Sequence, residues 1–318
     1  MNLVDKLVAG IEAHDTRSIA KAISLVEDSI NGQDELKDVL YLMERLYPKS
    51  GRATIVGVTG APGSGKSTLV DVLALEFARQ GKRVAVLAID PTSPFTGGAI
   101  LGDRIRMMRS LENPQIFMRS MATRGALGGL ARATYEALTV LDASGYDLIL
   151  VETVGVGQVE VDVVRTVDTC MVVLVPGMGD AVQTFKAGII EIADVFVINK
   201  ADRDGADLVQ RDLNLLLSLA NYSEGNWKPP IQQTVATEGS GLNALLSDIQ
   251  RHTDWLKSSS QGAERRKRII KEAILRGAGE QLLARAIKSQ GALLDDLVER
   301  CLQRKLDPIS ASMVLSGY

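Results

Sequence analysis

Cysteine and histidine are almost missing from this chain. Its 318 residues hold only Cys170, Cys301, His14 and His252. Two cysteines that far apart, one beside the apolar run Met171-Val-Val-Leu-Val175, read as reduced core or surface thiols rather than a disulfide framework. No Cys-x-x-Cys pair or His-rich tract supplies ligands for a soft metal ion. Both histidines, in Glu-Ala-His-Asp and Arg-His-Thr-Asp contexts, read as surface helix residues. Neither sign of charge dominates. The net charge is −3 with 24% charged residues, so no basic surface argues for nucleic acid or membrane. No uninterrupted apolar stretch reaches membrane-spanning length, and Met1-Asn-Leu-Val-Asp5 lacks a signal-peptide core. A cytoplasmic location is expected. There is no internal repeat or low-complexity tract.

What is present is sharper. Residues 60–67 read Gly-Ala-Pro-Gly-Ser-Gly-Lys-Ser, between the β-branched run Ala53–Thr59 and the helical pattern Leu69–Ala78. Strand, Gly-x-x-x-x-Gly-Lys-Ser and helix together form a phosphate loop. Gly60, Gly63 and Gly65 let the backbone N–H groups of Gly60, Ala61, Pro62, Gly63, Ser64, Gly65, Lys66, Ser67 and Thr68 (Pro62 excepted) turn around phosphate oxygens. The helix N-terminus points at the same anion. Lys66 reaches the β- and γ-phosphates, and Ser67 is placed to ligate Mg²⁺.

A second motif selects the base. The strand run Asp194–Ile198 ends in Asn199-Lys200-Ala201-Asp202. A carboxylate there accepts from both N1–H and N2–H₂ of guanine, a donor pair that adenine lacks. The Lys200 stem covers the base face, and Asn199 braces the neighbouring loop. GTP and GDP are therefore the expected substrate and product.

Three acids converge on the same end of the expected sheet. Asp90 ends the strand run 85–89, Asp103 closes a glycine-bearing segment, and Glu152 ends the run Leu148–Val151. With Ser67 they suit magnesium and its waters, or the attacking water. Glu152-Thr-Val-Gly155 stands where many GTPases read Asp-x-x-Gly, and Gly155 would sense the γ-phosphate through its N–H. Gly177-Met-Gly-Asp180, followed by Gln183 and Lys186, is another glycine-bearing loop.

The expected fold is α/β, a P-loop NTPase with a mostly parallel sheet covered by helices on both faces. Strands are expected over 53–59, 83–89, 115–119, 147–152, 168–175, 194–199 and 231–236. Residues 1–50 form a helical segment, with Ile19, Ile23, Val26 and Ile30 on one face and Leu36, Leu40 and Met43 on another. Residues 51–257 form the GTPase domain, Ser258–Gly262 a flexible linker, and 258–318 a helical extension. Glu264-Arg-Arg-Lys-Arg268 reads as a solvated helix face in preference to a partner contact. Ile270, Ile274, Leu282, Ala286 and Leu293 either pack on the core or join two subunits.

The run Asp90-Pro-x-Ser-Pro…Thr96-Gly-Gly-x-Ile-Leu-Gly-Asp103-Arg-x-Arg-Met, then Arg124-Gly-x-Leu-Gly-Gly129, then Val151-Glu-Thr-Val-Gly-Val-Gly-Gln158, resembles the MeaB/ArgK GTPases. That family chaperones adenosylcobalamin-dependent acyl-CoA mutases of the methylmalonyl-CoA mutase type, and the resemblance spans essentially the whole chain. It implies that Asp90, Asp103 and Glu152 are magnesium-associated, and that Gly177 to Lys186, with Asp180 and Gln183, form a switch touching the mutase. It implies that Lys186 stabilises transition-state charge and that Val235, Ala236 and Thr237 lie at the guanine, Val235 departing from the family's usual serine. A homodimer built through the C-terminal segment is implied too, with GTP turnover gating cofactor delivery. No Asp-x-His-x-x-Gly motif is present, so cobalamin belongs to the partner and is not bound directly. Two other readings are a metallochaperone GTPase, which lacks its Cys/His ligands here, and a protein kinase, as older ArgK naming suggested. The guanine motif and switch-like loops argue against the kinase.

Overall fold

The computed structural model describes residues 2–29, 33–90, 110, 112–122, 129–153, 166–177, 192–220, 222 and 225–317. The expected Ile30 on the second helix lies outside them.

The strands are Thr54–Gly60 (β1), Val84–Asp90 (β2), Ile116–Ala122 (β3), Leu148–Thr153 (β4), Thr169–Leu174 (β5), Val195–Asn199 (β6) and Ile231–Thr234 (β7). They form one sheet in the order β3-β2-β4-β1-β5-β6-β7. Every pairing is parallel. Burial on both faces explains the near-continuous apolar strand sequences. The period-2 alternation divides them between two cores. Ala85, Leu87 and Ile89 of β2 join one cluster with Ile149, Val151 and Val172, while Val84 and Val86 join the other with Val56, Val58, Leu148 and Leu150.

The first core takes in three N-terminal helices, Leu3–Glu12 (α1), Thr16–Asp28 (α2) and Gln33–Leu46 (α3). Asp15 caps α2, accepting from the N–H groups of Arg17 and Ser18. Ile19, Ile23 and Val26 are fully buried. On α3 the expected face is displaced. Val39, Leu42 and Leu46 are buried, whereas Leu40 is exposed and Leu36 and Met43 are half-buried. After Pro48, β1 is entered through Gly51, Arg52 and Ala53, whose N–H groups all donate to the Asp142 carboxylate. Asp142 lies near the end of the helix Gly129–Ala143 (α5) and fixes where β1 begins.

The second core is closed by Lys66–Arg79 (α4) and Leu242–Ser258 (α7); the helix between β6 and β7 is Ala206–Leu219 (α6). Ser258–Gly262 is not a linker in the structure. One extended residue, Ser259, separates α7 from the long helix Ser260–Ser289 (α8). Serine and glycine content suggested flexibility, but Ser259 instead holds the turn, its hydroxyl accepting from the Gly262 N–H. Gly291–Leu302 (α9) and Pro308–Ser316 (α10) follow, the latter capped by Asp307 with Pro308 in its first turn. The chain divides into two compact units, Met1–Ile269 and Ile270–Tyr318. Among the described residues, no helix is long and apolar enough to cross a membrane.

Candidate functional site

Ligands of open parallel sheets sit beyond the carboxyl ends of the strands, and β1 reaches that end at the sheet's centre. There the chain runs straight into the loop 60–65 and then α4. Gly60 has φ +145°, and a Cβ on it would come 2.2 Å from the Val173 carbonyl oxygen of β5. Gly65, at φ +87°, would drive a Cβ to 2.4 Å from Asn199 Nδ2. Glycine is thus required at both positions. Pro62 and Gly63 are exposed at the loop tip.

Lys66 opens α4 and is buried; its ammonium donates to the carbonyls of Gly60 (2.7 Å) and Ala61 (3.2 Å). Ser67 Oγ donates to Glu152 Oε1 at 2.6 Å. Parallel pairing of Val58 with Glu152 sets this contact, bringing an acid at the end of β4 beside the loop leaving β1. Two buried hydroxyls here, Thr59 Oγ1 and Ser64 Oγ, have no hydrogen-bond partner among the described residues. A polar ligand or ordered water would satisfy them.

The segment Asn199-Lys200-Ala201-Asp202 is tied directly to the phosphate loop. Asn199 Nδ2 donates to the Ser64 carbonyl at 2.9 Å, and Lys200 Nζ donates to the Gly63 carbonyl at 2.9 Å. Lys200 takes the left-handed conformation, φ 57°, rare for a residue with a Cβ. Asn199 Oδ1 accepts from Thr234 Oγ1 and from the Ala236 N–H, each at 3.2 Å. Asp202 and Thr237 are exposed, Ala236 is buried and Val235 half-buried. Thr68 is exposed on the first turn of α4.

Thr234 was not legible beforehand. It contacts Asn199 because β6 and β7 pair in the register Asn199↔Thr234, which the spacing of the two strands does not reveal.

Asp90 is the last residue of β2, but its side chain lies outside the described set, as do Asp103, Gly155, Asp180, Gln183 and Lys186 entirely. Gly177 lies just beyond β5, exposed with φ +83°. Each histidine departs in part from the expected surface helix position, His14 exposed but not helical and His252 helical but buried. His14 sits in a left-handed turn after α1 rather than in a helix, hydrogen-bonded to the Ser144 carbonyl. His252 is fully buried on α7. Its position continues the stripe Leu242, Leu245 and Ile249, a periodicity that places it inward. Arg265 also departs from a solvated face, since its guanidinium makes two 2.8 Å bonds to the Asp194 carboxylate.

A family model described as methylmalonyl-CoA mutase-associated GTPase MeaB matches residues 19–291. A Pyrococcus horikoshii protein with GTPase in its name is 48% identical over 317 residues, covering 98% of this chain and 97% of that protein. The Mus musculus protein named methylmalonic aciduria type A homolog, mitochondrial, is 35% identical over 275 residues, covering 83% of this chain and 66% of that one. The crystal structure of a LAO/AO transport system kinase superposes with a TM-score of 0.75 at 24% identity, covering 100% of this chain and 98% of the other, a likeness of fold. A phosphate loop bonded to a guanine motif, in a sheet of this order and with these relatives, places the chain in the MeaB family of methylmalonyl-CoA mutase-associated GTPases.

Proposed function

We propose that this protein hydrolyses GTP to GDP and phosphate with Mg²⁺, and that turnover gates its action as chaperone of an adenosylcobalamin-dependent acyl-CoA mutase. One observation carries the nucleotide reading: Asn199 and Lys200 bond the same loop whose Ser67 bonds Glu152. The segment that leads into the base reader, the phosphate cradle and the acid are thus joined by hydrogen bonds through one loop. The donor set suits magnesium, which takes hard oxygen ligands and keeps several waters. Ser67, with Asp90, Asp103 and Glu152, would hold the ion directly or through water. When bound it would neutralise charge developing on the phosphates.

The chain's own groups would divide the remaining work. Lys66 binds the β- and γ-phosphates, and backbone N–H groups from Gly60 to Thr68 orient them. Asp202 reads the guanine edge, flanked by Lys200 and the Val235–Thr237 loop. Gly155 senses the γ-phosphate, and Gly177, Asp180, Gln183 and Lys186 meet the mutase. Residues 51–257 would carry these functions. The 258–318 extension would build a homodimer, supported by the exposed Ile274, Leu275, Leu282, Leu283, Leu302 and Ile309. A single-chain mass by light scattering at micromolar concentration would count against the dimer.

Phosphate release measured with and without a purified cobalamin-dependent mutase tests the chaperone reading. Lys186→Ala is expected to keep basal turnover and to lose stimulation by about 10³-fold or more, if Lys186 acts as a charge-stabilising finger. Stimulation surviving intact in the variant would remove Lys186 from the mechanism. No stimulation of the native protein by any such mutase would remove the client.

A further inference from the structure

The end of the sheet opposite the phosphate loop holds a buried charge cluster outside the proposed hydrolysis site. At its centre is Asp194, immediately before β6. Its carboxylate accepts from the Cys170 N–H of β5 (2.7 Å) and from both terminal nitrogens of Arg265 on α8 (2.8 Å each). His252 Nε2 of α7 lies 3.4 Å from Asp194 Oδ1, while His252 Nδ1 meets Thr169 Oγ1 at 2.8 Å. The Asp194 carbonyl accepts from Trp227 Nε1 at 2.8 Å. Trp227 and Trp255 both pack on His252, with ring centroids 4.7 and 5.6 Å away. Burial holds the His252 imidazole down at a pKa of about 4, so it is neutral at pH 7. Arg265 is then the cation that answers Asp194, with the Asp168 carboxyl also acting on it.

The cluster's position gives it meaning. Two elements carry the residues around Asn199, and both have their other end in the cluster. From Asp194 the chain runs through β6 to Asn199, about 16 Å over five residue steps. The loop that gives Ala236 N–H to Asn199 leads into α7, which carries His252 and Trp255. From the same cluster α8 departs, held by Arg265.

We propose that Asp194 and Arg265 form a clasp through which guanine-nucleotide occupancy and the anchoring of α8 influence one another, Arg265 acting as a positioning residue for the guanine loops. This rests on the guanine-nucleotide reading above. Coupling of this kind is reciprocal: if the nucleotide alters the clasp, loosening the clasp must alter nucleotide affinity by the same factor.

The molecule carries its own reporter, because its only two tryptophans are in the cluster. In the full-length native protein, GDP is expected to change tryptophan emission as calorimetry registers binding. Arg265→Met, folded by circular dichroism, is expected to bind GDP about 5- to 150-fold more weakly and to lose the emission response. Arg265→Lys is expected to fall between, and Lys267→Met, an exposed neighbour, to behave as native. A GDP affinity and emission response in Arg265→Lys and folded Arg265→Met equal to native would overturn the clasp, as would native emission that ignores bound GDP. Should Arg265→Met not fold, native emission and the Arg265→Lys affinity decide. Failure of the native protein to bind GDP would instead sink the nucleotide reading itself.

Discussion

Lys66→Ala is expected to lower GTP turnover by about 10²–10³-fold, the usual cost of deleting one charge-stabilising donor from a preorganised site. The side chain is only 6% exposed, and its ammonium rests on the Gly60 and Ala61 carbonyls. A bound triphosphate would offer stronger, charged acceptors, for which the lysine would exchange these carbonyls. Alanine favours helix at this first position of α4, so the fold should persist. Phosphate release at saturating GTP, alongside a thermal melt, separates the two effects. Near-native turnover would mean that the loop does not act on a γ-phosphate.

Asp202→Asn is expected to invert base preference. The asparagine carbonyl can still accept from guanine N1–H, but its amide faces the N2 amino group donor to donor; losing that one charged bond, worth about 1.5–3 kcal/mol, weakens GTP by about one to two orders of magnitude. Xanthosine triphosphate should gain, because the asparagine amide can donate to the xanthine 2-oxygen while its carbonyl accepts from N1–H. Asp202 is exposed and outside the Asn199 network, so the substitution should leave the loop contacts intact. Competition between GTP and xanthosine triphosphate measures the switch, and an unchanged preference would take Asp202 away from the base.

Much of the site was readable because its chemistry is local in sequence. The loop 60–67 needs a strand before it and a helix after it, and both announce themselves within ten residues. All seven strands were also visible, the central ones because a parallel sheet buried on both faces demands unbroken apolar runs such as Val195–Ile198. What escaped notice depends on contacts distant in sequence. Thr234 braces Asn199 only through strand register. Arg265 sits in a run of basic residues, and nothing in that run says which member turns inward to a carboxylate 71 positions away. The α3 stripe slipped because Leu40 is apolar yet exposed, so apolarity alone misplaced the face that Val39, Leu42 and Leu46 bury. Ser259 shows the converse error, a composition that suggests slack where a hydroxyl fixes the chain.

Direct binding to the native protein is the plainest test of guanine recognition joined to a phosphate cradle. With Mg²⁺ present, GTP and GDP should bind and compete with each other, a large excess of ATP should displace neither, and phosphate should appear only from GTP. Displacement of bound GDP by ATP at comparable concentration, with phosphate released from ATP, would contradict it.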